Sequence, residues 1–198
     1  TYGQGKVLEA DKLICALPTF ALKKIDWQPG LPDALAAAIN ALQYARINKS
    51  VFLFNNRFWG REDFDMVTDT PMHYLYHATK TQAGPMGALT AYSIGDKAPL
   101  MHQQGEAYRA AMLELSLKPM TPKVSDKIAG QVNYYWGSNA YTQGAYALYG
   151  INQWVPLRKE LNNSFMHTHF AGEHLAEWQG FMEGAINTGE ATAEAVMS

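Results

Sequence analysis

Histidines two apart on an extended segment share a face, and His167 and His169 flank Thr168 in that way, with Glu173 and His174 close behind. Such a pair could hold one metal ion together, yet no third ligand stands at a recognised spacing, and neither HExxH nor CxxC occurs. The pattern predicts surface or supporting histidines and no metal site. A serine hydrolase lacks its parts as well: there is no GxSxG elbow, and Ser50, Ser93, Ser116, Ser125, Ser138 and Ser164 have no nucleophile context. Cys15 is the single cysteine, which excludes an internal disulfide and a cysteine-rich zinc site. It lies in the apolar run Leu13 to Leu17, where a free thiol behaves as a small hydrophobe. Phosphate cradles of the GxxxxGK[ST] and GxGxxG types are missing, and Gly3-Gln4-Gly5 is too short a match.

Two features of the second half say more. Tyr134, Tyr135, Trp136, Tyr141, Tyr146, Tyr149 and Trp154 crowd into about twenty residues, well above the 12% aromatic content of the chain. Composition alone leaves that crowd open as an aromatic core, as sugar-binding loops or as a cofactor wall. Further on, His169-Phe170-Ala171-Gly172-Glu173 reads as a strand entering a tight turn, and Gly180 to Ala185 (GFMEGA) as the start of a helix. Small residues at a helix N-terminus let a ligand approach backbone N–H groups closely, which suits an anionic or electron-rich cofactor.

The elements that must position these residues are those of a globular protein of 198 residues and 47% hydrophobic content. Sixteen Lys and Arg against eighteen Asp and Glu give a net charge of -2, with no basic surplus for nucleic acid. No apolar run reaches the roughly 18–20 residues of a membrane span, which predicts a soluble protein of unassigned compartment. Strands are expected around Val7-Leu8 and Leu13 to Cys15, over Lys49 to Asn55, Met72 to His77, Gly87 to Ile94 and Val132 to Trp136, and over Phe165 to Phe170. Helices are expected from Pro32 onward, with Leu35, Ile39 and Leu42 on one face, over Gly105 to Leu117, with Tyr108, Met112 and Leu115 as the apolar stripe, and over Gly180 to Val196. Strands and helices mix without strict βαβ alternation, so the fold class is α+β.

Four motifs in order carry a resemblance over nearly the whole chain. ADKLICALP (10–18) is similar to a strand ending in a proline, here Pro18, beside the flavin of the flavin-containing amine oxidases. KSVFLFNNRFW (49–59) resembles that family's lysine before a strand and an FW pair. Trp136, Tyr141, Gly144 and Tyr146 match its W(x4)YxxGx[YI] stretch, and FAGEHLAEWQGFMEGAINTGEATAEAV (170–196) resembles its C-terminal FAD-binding signature. GPMGALTAYSIGDKA (84–98) looks closest to the L-amino acid oxidase branch.

What the resemblance implies is a substrate-binding domain with a mixed β-sheet and helices over 31–164. Segments 1–30 and 165–198 would belong to a Rossmann-like FAD domain, the latter as its closing strand and helix. Lys49 would hold a water near flavin N5, and Tyr92 would bind a substrate carboxylate. Tyr146 and Phe181 would line the re face, and Trp136 would pack beside the isoalloxazine. Pro18, Gly172, Gly180 and Met182 would contact FAD, with Glu173 facing its ribityl or pyrophosphate region. Ala145 stands where monoamine oxidases have the cysteine that carries flavin covalently, so FAD is expected to be non-covalent. The family's GxGxxG half is absent from this sequence. The opening TYGQGKVLEADKLICALP reads like the middle of a protein, so a complementary N-terminal polypeptide of the same precursor is an expected partner. The implied reaction takes an L-amino acid and O2 to a 2-oxo acid, ammonia and hydrogen peroxide, in a homo-oligomer of the full enzyme. The alternatives are a monoamine or polyamine oxidase of the same family, or a non-catalytic aromatic-rich binding module for sugars or peptides.

Overall fold

The computed structural model describes residues 5–197, so Gly3 and Gln4 of the short glycine pair lie outside the described residues. In chain order the elements are β1 (Leu13–Cys15), α1 (Thr19–Leu22), α2 (Asp33–Ala41), β2 (Gln43–Tyr44), β3 (Ile47–Phe54), β4 (Asp65–Val67), β5 (Tyr74–His77) and β6 (Gly87–Ile94). There follow α3 (Lys97–Gln103), α4 (Glu106–Leu117), β7 (Ile128–Tyr135), β8 (Ala147–Leu148), α5 (Trp154–Leu161), β9 (Thr168–Phe170) and α6 (Met182–Met197). The chain forms two compact units, residues 45–145 and a second made of residues 1–44 with 146–198. Both divisions fall inside the stretch 31–164 expected as one substrate domain, because α2 and α5 pack on each other within the second unit.

In the unit 45–145, β-branched and aromatic residues build a five-stranded sheet of order β4-β5-β6-β3-β7. Every neighbouring pair in it is antiparallel, which corrects the expected mixed sheet. The reason lies in the connections: β4, β5 and β6 follow one another through short turns, and α3 and α4 return the chain to β7 on the far side of β3. Alternation puts Phe52 and Phe54 of β3 into a core with Leu75, Leu89, Met101, Leu113 and Leu117. The second face carries Lys49, Val51 and Leu53 on β3 with their partners Tyr92, Thr90 and Ala88 on β6.

Helix α4 has the expected extent, and Tyr108 and Met112 of the expected stripe pack against the core, but Leu115 does not. Its buried residues are Arg109, Leu113, Ser116 and Leu117, while Leu115 is exposed. A polar group satisfied locally can turn inward: Ser116 Oγ donates to Met112 O and bonds Thr70 Oγ1. Arg109 Nη1 donates to Gln104 O, while its buried Nε makes no hydrogen bond among the described residues. Pro32 precedes α2 as its N-cap instead of lying in the first turn.

In the unit 1–44 with 146–198, β1 and β9 form a parallel pair and β2 and β8 an antiparallel one. Cys15, Leu22, Leu35, Ile39, Leu161 and Leu175 form the core, with Trp27, Phe165 and Phe170 against it. Val7 and Leu8, expected in a strand, form none and are exposed, since no neighbouring strand pairs with them among the described residues.

Candidate functional site

Lys49 sits third in β3, and the register places Tyr92 of β6 on one side of it and Tyr134 of β7 on the other. Cross-strand partners share a face, so Tyr74, Tyr92, Lys49 and Tyr134 run as a transverse row over four strands. Lys49 Nζ lies 5.5 Å from the centre of the Tyr92 ring, a cation–π distance. Tyr134 in turn meets Trp136 edge-to-face, with ring centres 4.8 Å apart, and its hydroxyl accepts from Asn139 Nδ2. Tyr74 donates to Asp65 and stacks on Tyr76; its phenol is held above the ordinary range chiefly by desolvation and then by that carboxylate. Three of the residues singled out from sequence, Lys49, Tyr92 and Trp136, are therefore joined in one unit. Tyr134 links them, and its signal in the sequence was its spacing of two from Trp136.

The other unit gathers the remainder around the turn between β9 and α6. Gly172 has φ of 146° and Gly180 φ of 84°, conformations that an L side chain adopts only under strain. The strand-to-turn junction is fixed by Thr188 of α6, whose Oγ1 accepts from Gly172 N–H at 3.0 Å, and by Thr192, which donates to Phe170 O. A Cβ on Gly180 would stand 3.3 Å from the Tyr146 ring, so that ring lies directly on the glycine. Phe181 and Met182, at the head of α6, are 62% and 86% exposed. Pro18 is half-buried as the N-cap of α1.

Glu173, expected to face a cofactor, bonds two backbone N–H groups of its own chain. Its Oε1 accepts from Ala147 N at 2.9 Å and its Oε2 from Gly180 N at 2.7 Å, so both oxygens serve the chain itself. The phenols of Tyr44 and Tyr149 are each pushed up to about 12, first by burial, with the negative charge of Glu173 adding to it. His174 is buried, and desolvation lowers its pKa to about 4.

A planar, electron-rich group fits the head of α6. The first N–H groups of a helix have no intrahelical partner, and here they sit beside the exposed side chains of Phe181 and Met182. That donor set suits the ring end of a flavin. Among the described residues there is no group of three or more His, Cys, Asp or Glu able to hold a metal ion, and no helix long and apolar enough to cross a membrane.

A family model described as flavin containing amine oxidoreductase matches residues 1–197. The chain is similar to an L-amino-acid oxidase of Siganus canaliculatus, 27% identical over 191 residues, covering 91% of this chain and 36% of that protein. It is also similar to L-amino acid oxidase Cdc18 of Crotalus durissus cumanensis, 24% identical over 194 residues, covering 94% of this chain and 39% of that protein. The chain thus spans well under half the length of these curated relatives. Among solved structures, a putrescine oxidase bound to putrescine superposes with a TM-score of 0.84 at 21% identity, over 95% of this chain and 43% of that one. Cyclohexylamine oxidase from Brevibacterium oxydans superposes with a TM-score of 0.86 at 18% identity, over 98% of this chain and 44% of that one.

Proposed function

The chain belongs to the flavin containing amine oxidoreductase family, and from that premise we propose that it is the C-terminal portion of an FAD-dependent oxidase of L-amino acids. Bound FAD would accept the substrate's hydride at N5 and pass the electron pair to O2, which leaves as hydrogen peroxide. The imine left on the substrate is hydrolysed by water to a 2-oxo acid and ammonia.

The observation that carries this reading is the pairing of Lys49 with Tyr92 on adjacent strands, the ammonium beside the ring. The Tyr92 phenol would donate to the substrate carboxylate, a group that a simple amine does not carry. Lys49 would hold a water at the flavin edge. Trp136, braced by Tyr134, would wall the ring system and exclude bulk water. Tyr146 and Phe181 would flank the substrate amine. Phe181 and Met182 would offer backbone to the cofactor, Gly172 and Gly180 would shape the turn beside it, with Pro18 at its rim, and Ala145 leaves FAD without a thiol to bond. Functionally, 31–164 would serve the substrate and 1–30 with 165–198 the cofactor.

The rest of the enzyme would come from a complementary N-terminal polypeptide of the same precursor. Parallel strands are ordinarily buried on both faces, yet β1 has β9 as its one partner among the described residues, and Leu13 and Ile14 are 53% and 42% exposed. Such a pair needs further strands beside it.

A second reading, a monoamine or polyamine oxidase, is favoured by the aromatic pair Tyr146 and Phe181, with the Tyr146 ring packed on Gly180 next to Phe181. Tyr92→Phe separates the two. Losing a hydrogen bond to a carboxylate, worth about 1.5–3 kcal/mol, should raise the KM for L-amino acids roughly 10- to 100-fold and leave amine turnover unchanged. Turnover of amines alone by the unaltered enzyme would overturn the amino acid reading.

A further inference from the structure

The two aromatic residues proposed to flank the substrate lie far apart in sequence, and one carboxylate ties their backbones together. Tyr146 immediately precedes Ala147, whose N–H donates to Glu173 Oε1; Phe181 immediately follows Gly180, whose N–H donates to Glu173 Oε2. We infer that Glu173 is a positioning residue whose carboxylate sets the separation of Tyr146 and Phe181. The inference rests on the proposed flavin oxidase reading for what that separation does, but its geometry stands without it.

Several contacts leave the carboxylate little freedom. Its backbone is fixed in a 3-10 turn, Glu173–Leu175, directly after Gly172, whose positive φ turns the chain there. Gly172, on one side of Glu173, is locked to α6 through Thr188, and His174, on the other side, has its carbonyl bonded by the Tyr149 hydroxyl at 2.5 Å. On the far side, Ala147 is paired with Tyr44 between β8 and β2, so the Tyr146 backbone hangs from a short strand pair and from Glu173. Gly180 closes the arrangement, since without a Cβ it lets the Tyr146 ring rest on it. A buried N–H donates well to a charged acceptor, and a single oxygen on each donor fixes both direction and distance.

Glutamine keeps one acceptor oxygen and turns an NH2 group toward the second backbone N–H, donor against donor. Glu173→Gln should therefore release one of the two segments while leaving the side chain's volume unchanged. In the flavin-free protein, amide hydrogen exchange reads this directly. The Ala147 and Gly180 amides should be protected in the unaltered chain, and at least one should exchange 10-fold or more faster in Glu173→Gln. In the flavin-loaded enzyme, substrate-driven flavin reduction should slow about 10- to 100-fold in Glu173→Gln with flavin content retained. That extra loss should vanish in a Tyr146→Ala/Phe181→Ala background, because the residues it acts through are gone. Unprotected Ala147 and Gly180 amides in the unaltered protein overturn the inference even if Glu173→Gln does not fold. A loss that persists in the double-alanine background overturns it too, by assigning Glu173 a role apart from the pair. Absence of any amine or amino acid oxidation by the unaltered enzyme, with both amides protected, would sink the oxidase reading and leave the clamp standing.

Discussion

Acidification should weaken the unit that holds the β9–α6 turn through one side chain, His174. The residue is 4% exposed, and burial lowers its pKa from 6.5 to about 4. Its ring fills the space beneath Gly172, where a Cβ would stand 2.6 Å from His174 Cε1. An unfolded histidine takes up its proton below 6.5, while the folded one stays neutral until pH nears 4. Stability from this group is therefore complete above 6.5 and is lost progressively as pH falls through that window. At about 1.4 kcal/mol per pH unit, the full span amounts to about 3 kcal/mol, of which about 2 kcal/mol is lost between about pH 7.5 and about pH 5. Urea unfolding of the unaltered protein and of His174→Gln at those two pH values isolates it, because every other titrating group cancels in the difference. The variant should lose about 2 kcal/mol less on acidification than the unaltered protein. Parallel pH dependence of the two proteins would refute the argument, since His174 would then titrate alike in both states.

Other perturbations follow from the same contacts. Gly180→Ala forces a side chain into φ of 84° against the Tyr146 ring, and should cost about 1–2 kcal/mol in urea unfolding and slow flavin reduction by substrate. Gly87→Ala would put a Cβ 2.6 Å from the buried Trp59 ring and 2.8 Å from Arg57 Cγ, so its midpoint should fall by the equivalent of about 1–3 kcal/mol. Phe54→Ala empties a fully buried site between Phe58 and Trp59, and calorimetry should show a loss of about 3–5 kcal/mol. Glu177→Gln removes an exposed partner 3.8 Å from Arg158 and should leave stability within about 0.5 kcal/mol.

Strands dense in β-branched and aromatic residues were legible in the sequence. The expected 87–94 is β6 residue for residue, and 49–55 lies within two residues of β3. Short elements gave no such signal. β4 is three residues beginning with an aspartate, and β2 and β8 have two residues each, so pairing and not propensity creates them. α3 and α5 carry Pro99 and Pro156, which read as breakers but lie in first turns, where proline removes no intrahelical hydrogen bond. The site divided in the same way. Alternation and motif order put Lys49, Tyr92 and Trp136 in reach of one another, since strand register is local geometry repeated. The two N–H groups held by Glu173 belong to residues 26 and 7 positions away, and backbone donors leave no mark in a sequence of side chains.

Anaerobic mixing of the complete, flavin-loaded enzyme with L-amino acids, followed in the long-wavelength flavin absorption band, tests the central claim most directly. The account predicts that the band bleaches, and that admitting O2 restores it with release of hydrogen peroxide and a 2-oxo acid. A band that L-amino acids leave unchanged while amines bleach it, or an intact enzyme that carries no flavin, would contradict it.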